Sequence, residues 1–340
     1  VGKVLMEKCA HDSFCSSKMQ VDPAIMVQTV FEKLYVNNSC SAITSDSLNR
    51  SLLTKILGTF LIQTATRNFI PALLYRLNRC DPDHDFGAIK FFLDVIQANS
   101  SRIPNCVPLA SSMLGSNIML AELFDPTRTV EELQAIFNAS YFATGPGIQY
   151  RSLYPFWPVY TPDAYFNQSF STQFASVLLL NGDLDPQTPF EYAQEQYERI
   201  VTSSPNQKHL IKIPFAPHYT VMRSPVNNSK IDCGMQLVLE FLNDPSKRPD
   251  DSCTQFVEPI NFRGYSRSVN ELAFGVHDIF DGVYVKPEPE LTVNLYLFIG
   301  VEAATCVLGI IVICCLIYYA VKLREERKQA NEQYNDLDAS

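Results

Sequence analysis

The sequence predicts an α/β chain in which a long helical block precedes a β-α-β-α stretch and one membrane-spanning helix follows. Three observations predict it. Apolar residues recur at helical spacing through most of residues 22–138. Residues 176–180 (S-V-L-L-L) are a short apolar run closed by Asn181-Gly182, the pattern of a strand buried on both faces of a parallel sheet. Residues 303–321 are nineteen in a row without a charge, roughly 28 Å of helix against a hydrocarbon core of about 30 Å.

The residues up to Cys15 are too few to form a unit of their own. Residues 23–34 carry Ile25, Met26, Val30, Phe31 and Leu34 at helical spacing, with Asp22 placed as N-cap. Residues 51–64 and 69–77 continue in that style. The run D-P-D-H-D at 81–85 interrupts as a loop, and 86–98, 109–123 and 130–137 resume helical spacing. Residues 144–161, rich in Gly, Pro and aromatics, read as a boundary near residue 150. Beyond it the strand at 176–180 is followed by a helix at 191–201, a second strand at 209–213 and a helix at 232–242 that ends in the turn N-D-P. This order predicts the edge of a doubly wound sheet. Residues 253–290 are mixed in pattern and pack on the domain or link it to the membrane.

The apolar stretch reaches back to Leu291 with Glu302 as its one interruption, and Lys322, Arg324, Arg327 and Lys328 follow it. Basic residues mark the cytosolic flank, so a single-pass type I membrane protein is expected, its large N-terminal part outside the cytosol or in an endosomal or vacuolar lumen. Two further signals agree. Asn37, Asn49, Asn99, Asn138, Asn167 and Asn227 each head an N-x-S glycosylation triplet, all before the span. Cys9, Cys15, Cys40, Cys80, Cys106, Cys233 and Cys253 also precede it without a C-x-x-C pair, which favours disulfides over zinc. Seven is odd, so one thiol is free or its partner lies elsewhere. The chain starts at Val1 without a signal peptide, which the type I topology requires, and so reads as the later part of a longer chain. A formal charge of −9 argues against nucleic acid as a partner.

Chemistry concentrates in L-L-L-N-G-D-L-D-P-Q-T-P, residues 178–189. A buried strand there ends in a turn rich in carboxylates, at the end of a parallel sheet where ligands gather. The second strand leads through P-F-A-P to His218. Strand, acid loop, helix, strand and histidine loop in that order put Asp185 and His218 on one rim. An Asp there accepts the imidazole Nδ1–H and leaves the other nitrogen as general base. Asp183 competes for the acid role, its alternative being a turn-stabilising carboxylate.

The run N-G-D-L-D-P-Q-T-P, followed by I-P-F-A-P-H-Y, Cys233, F-L-N-D-P and Cys253, resembles the C-terminal part of prolyl and tripeptidyl aminopeptidase-like serine peptidases. These are α/β-hydrolases with a helical cap. Gly182, Asp185, Thr188 and Pro189 match their G-x-x-D-x-x-T-P context, and P-I-N-F-R-G at 259–264 resembles their C-terminal extension. The resemblance implies Asp185 as triad acid, His218 as triad base and a Cys233–Cys253 disulfide beside the last helix. It implies the C-terminal half of an α/β-hydrolase fold: the end of an N-terminal half at 1–21, a helical cap at 22–150, the second hydrolase half at 151–255, an extension and juxtamembrane segment at 256–290, a transmembrane region at 291–322 and a cytoplasmic tail at 323–340. Two features depart from the family. Pro217 stands where a Gly is usual, which stiffens the approach to His218. The nucleophile elbow G-x-S-x-G is missing, since no two of the thirteen glycines are four apart. The serine is expected upstream of Val1.

The resemblance further implies an exopeptidase that releases residues from peptide N-termini, with no metal or organic cofactor. Cap acids would hold the substrate amine, and Asp81, Asp83, Asp85, Glu122, Glu131 and Glu132 are the candidates. His11, His84, His209 and His277 read as structural or solvated. Gly300 and Ala304 form a small-x-x-x-small pair, a hint of weak homodimerisation. Glu302 marks the outer interface. Cys314 and Cys315 are palmitoylation candidates or apolar filler, and Y-N-D-L at 334–337 has the form of a sorting signal. A non-catalytic peptide-binding or receptor-like descendant, and an esterase or lipase, are the rival readings.

Overall fold

Helices α1 (Gly2–His11) and α2 (Ser13–Met19) open the chain. They meet at Asp12, whose Oδ1 accepts from Cys15 N–H at 2.7 Å and so caps α2. The Cys9–Cys15 disulfide joins the pair. Neither helix is expected from the sequence, in which the residues up to Cys15 are too few to form a unit. The computed structural model describes residues 1–36, 40, 48–62, 64–100, 112–166, 168, 171–172 and 175–284.

Then come α3 (Pro23–Val36), α4 (Arg50–Ile62), the short α5 (Thr64–Arg67), α6 (Ile70–Arg79) and α7 (Phe86–Ser100). Asp22 Oδ1 accepts from Ala24 N–H at 2.7 Å at the start of α3. On α4, Leu53, Ile56, Leu57, Phe60 and Leu61 are buried, an i, i+3, i+4, i+7, i+8 stripe that faces the core. Each such side chain contributes about 1.5–3 kcal/mol when fully removed from water. α6 packs against α3 and buries Ile70, Ala72, Leu73, Leu74 and Leu77. The Cys40–Cys80 disulfide ties its C-terminal end to the segment after α3.

The helical core is completed from the far end of the chain. Ile260, Phe262, Phe274, Val276, Ile279 and Phe280 are buried in the same cluster as residues of α1–α4, α6 and α7, and Phe92 stacks on Phe274 at 4.4 Å. A helix, α13 (Arg267–Phe274), carries part of this segment. Arg76, fully buried on α6, donates to the carbonyls of Ile279, Asp278, Gly282 and His84 and to Asp85 Oδ1. Arg79 adds ion pairs to Asp85 and Asp281, and Asp281 also takes Lys18 from α2. A buried charge of this kind is tolerable only when its donors are met.

Between these parts lie α8 (Ser112–Ile118), which runs into a π-helical turn at Met119–Leu123, then α9 (Val130–Ala139) and α10 (Ile148–Leu153). α9 begins with a capping box in which Thr129 and Glu132 exchange hydrogen bonds. The sheet consists of β1 (Val177–Gly182) and β2 (Lys208–Ile213), parallel and in register from Val177↔Lys208 to Gly182↔Ile213, joined by α11 (Phe190–Arg199). A second apolar cluster gathers Ile211, Ile213, Ala216, Cys233, Leu237 and Val257 beneath α12 (Cys233–Asn243).

This corrects the fold class. The expected α/β architecture, the second half of an α/β-hydrolase with a helical cap, is not what the described residues build: they are mostly helical, with a two-stranded parallel sheet. The reason lies in the pattern around the sheet. Among the described residues two segments form strands, and α11 buries no residue fully. Leu178, Leu179 and Leu180 remain half-buried, whereas parallel sheets are ordinarily covered on both faces. Most of the apolar surface that forms the main core belongs to helices. Among the described residues no helix is long and apolar enough to cross a membrane. The expected span at 291–322, its core at 303–321 and the tail lie outside the described residues, as do Glu302, Gly300, Ala304, Cys314 and Cys315.

Candidate active site

Because β1 and β2 are parallel, their C-terminal ends emerge side by side, and the loop after each carries the candidate residues. The loops are stitched together by main chain. Asp183 N–H donates to Ile213 O and Leu184 N–H to Ala216 O, both at 3.1 Å. Only glycine fits at 182: a Cβ there would sit 2.0 Å from the Ala216 carbonyl oxygen. The side chain between the two acids, Leu184, is fully buried in the helical core. The acid loop is thus fastened to the histidine loop by its backbone and to the helices by Leu184.

Asp185 is 3% exposed and fully engaged. Its Oδ1 accepts from the Gln187 and Thr188 N–H groups at 2.9 and 3.0 Å. Its Oδ2 accepts from the Thr188 hydroxyl at 2.7 Å and contacts His218 Nδ1 at 2.9 Å. Burial pushes the Asp185 carboxyl up, but the Thr188 N–H, the Thr188 hydroxyl, His218 and the Gln187 N–H together hold it below the usual carboxylate value. Asn181 donates to the Thr188 carbonyl at 2.8 Å and so supports the turn from below.

His218 is reached through Phe215-Ala216-Pro217. The Thr220 hydroxyl donates to the Pro217 carbonyl at 2.8 Å, which closes the loop on its far side. Both imidazole contacts, with Asp185 Oδ2 and with the Thr188 hydroxyl at 3.3 Å, are made at Nδ1. Nε2 is left for a reacting group. Tyr219 stacks edge-on against the imidazole at 4.8 Å. The pair opens into a pocket of about 340 Å³ with Leu180, Asn181 and Thr188 on one side and Tyr219–Met222 on the other. Behind it stands α12. A Cβ on Gly234 would lie 2.6 Å from Val221 Cα, so helix and histidine loop are in backbone contact. Ser224, buried, links them by accepting from Gly234 N–H and donating to Thr220 O. The Cys233–Cys253 disulfide ties the first residue of α12 to the short 3₁₀ helix Asp251–Phe256.

Comparison with protein-family models, with curated proteins and with solved structures finds no match.

A buried carboxylate against Nδ1 of a half-exposed imidazole orients the ring. Asp185, and not Asp183, makes that contact. Asp183 points the other way, to Lys8 Nζ at 2.6 Å and to Phe215 N–H at 2.7 Å. Among the described residues no group of three or more His, Cys, Asp and Glu is arranged to hold a metal.

The other sequence candidates lie elsewhere. Asp85 is fully buried between Arg76 and Arg79, Asp81 caps its own loop at Asp83 and His84, Glu132 belongs to the capping box and Glu122 accepts from the Tyr160 hydroxyl. None of the six acids lines the pocket beside His218. Asn49, Asn138 and Asn227 are exposed. Asn37 and Asn167 lie outside the described residues, and Asn99 falls in α7. Six of the seven cysteines pair in the three disulfides, and Cys106 lies outside the described residues. His209, on β2, is buried, which lowers its pKa, with Arg248 adding to the effect. Lys8 and Arg67, which also bear on the site, had no signal in the sequence. Their contacts with Asp183 and Phe215 join positions more than 140 residues apart.

Proposed function

We propose that this chain carries the acid and base of a serine hydrolase, with Asp185 and His218 in those roles and peptide N-termini as substrate. The observation that carries the reading is the 2.9 Å contact between Asp185 Oδ2 and His218 Nδ1 at the mouth of a pocket. In this mechanism His218 Nε2 takes the proton of a serine hydroxyl as that oxygen attacks a peptide carbonyl. Asp185 stabilises the resulting imidazolium. The imidazolium then protonates the leaving amine, and water hydrolyses the acyl-enzyme with the same base. The sequence holds no G-x-S-x-G, and the reading takes the serine from polypeptide outside these 340 residues. The preference for peptides rests on the resemblance of residues 181–189 and 213–219 to aminopeptidase-like sequences. It does not rest on fold class, since this acid–base arrangement recurs on unrelated folds. Three disulfides and exposed sequon asparagines support a location outside the cytosol.

The test uses the complete product of the gene that encodes the chain. Wild type, Asp185→Asn and His218→Ala are treated with a fluorophosphonate probe. Labelling of the wild type with a loss of about 10³–10⁴-fold in rate for both variants is expected. No labelling of the wild type, or equal labelling of all three, overturns the proposal.

A further inference from the structure

Phe215 lies three residues before His218 with φ at +58°, in the left-handed region. For a non-glycine residue that conformation is strained and persists only where its surroundings impose it. Here every part of the residue is held. Its N–H donates to Asp183 Oδ1 at 2.7 Å, and its carbonyl accepts from Arg67 Nη2 at 2.7 Å. Its ring lies 4.0 Å beneath Lys8 Nζ and packs against both apolar clusters. Asp183 spends its second oxygen, Oδ2, on Lys8 Nζ at 2.6 Å, with both side chains largely out of water.

We propose that Lys8 and Asp183 are positioning residues that hold the Phe215 turn in its left-handed state and thereby set His218 Nδ1 against Asp185. The inference rests on the acid–base reading of Asp185 and His218. Asp183 is then the joint between α1 and the histidine loop: one oxygen faces each. Its role differs from that of its neighbour two residues on, although both belong to one turn. Lys8 does two things at once, neutralising Asp183 and covering the ring face with its cation. Arg67 secures the carbonyl alone. Its Nε and Nη1 are buried without a partner, and burial lowers its pKa to about 10, with Tyr265 and Asp183 opposing the shift. The guanidinium therefore remains charged at neutral pH, so Phe215 is held between a carboxylate at its N–H and a cation at its carbonyl.

The experiment follows the His218 Nδ1 proton by NMR in full-length chain with its disulfides formed and its histidines ¹⁵N-labelled. A resonance protected from exchange with water is expected in wild type and absent in Asp185→Asn. In Lys8→Met and Asp183→Asn the same proton should exchange about five- to tenfold faster, the effect of losing one restraining hydrogen bond. Lys8→Arg, which keeps the cation, should restore protection. Should Lys8→Met fail to fold, Lys8→Gln gives the same comparison. A merely structural role would lower the urea midpoint and leave the exchange rate untouched. That result in both Lys8→Met and Asp183→Asn overturns the positioning role while the Asp185–His218 pair stands. Absence of the protected proton in wild type overturns the pair itself.

Discussion

At the scale of single residues, Asp185 has a measurable consequence in acid. Its folded carboxyl lies below the ordinary value near 3.8 because Thr188, His218 and Gln187 donate to it. A carboxylate whose folded pKa is depressed stabilises the fold above its unfolded pKa, and that contribution is lost as pH falls through the folded value. Urea titrations at pH 5 and pH 3 should show wild type losing stability on acidification and Asp185→Asn losing less; an equal loss in both would exclude the carboxylate as its source. Thr188→Val removes the hydroxyl that meets Oδ2 and should cost about 1 kcal/mol at neutral pH. The meeting of Asp185 and His218 was legible because each follows a strand within a few residues, so local sequence determines where they emerge. Lys8 and Arg67 were not, since contacts from residue 8 to 183 and from residue 67 to 215 leave no periodic trace.

At the scale of elements, the two loops behave as one object. Gly182→Ala would drive a methyl group into the Ala216 carbonyl, and backbone cannot step aside cheaply. A loss of at least about 2–3 kcal/mol is expected, with the Asp185–His218 contact broken. A variant that keeps both wild-type stability and a protected His218 proton would refute this. Replacing Cys233 and Cys253 by Ser opens a loop of about 20 residues, worth about 3 kcal/mol by chain entropy, and should lower the denaturation midpoint accordingly. The helices at 23–36, 50–62, 70–79, 86–100 and 233–243 were readable from apolar spacing to within a few residues. α1, α2 and α13 were not, because short helices held by tertiary contacts need little pattern of their own. The sheet order was readable too, but the expected architecture was not built, because strand pattern alone does not say how many strands assemble or what covers them.

At the scale of the molecule, residues 278–282 close the helical core through Arg76, Arg79 and Lys18. Asp281 is drawn down to about 2: burial raises it, and Lys18, Tyr75 and Arg79 more than offset this. Its contribution is present above the ordinary carboxylate value near 3.8 and disappears as pH falls toward 2. Asp281→Asn should therefore flatten the acid limb of the stability curve in that window. Arg76→Met leaves Asp85 short of one partner and several carbonyls without a donor, so a loss of about 3–5 kcal/mol in urea is expected. An unchanged midpoint would show that the network carries little. One feature reaches beyond stability. Leu184 roots the acid turn in the helical core while the histidine turn also leans on a smaller apolar cluster. The pocket therefore rests on two separate apolar clusters. On a slow temperature ramp, the protected His218 proton should fade several degrees before the helical circular dichroism, so that heat silences the site while the protein still looks folded. Coincident transitions would mean that the two clusters melt as one.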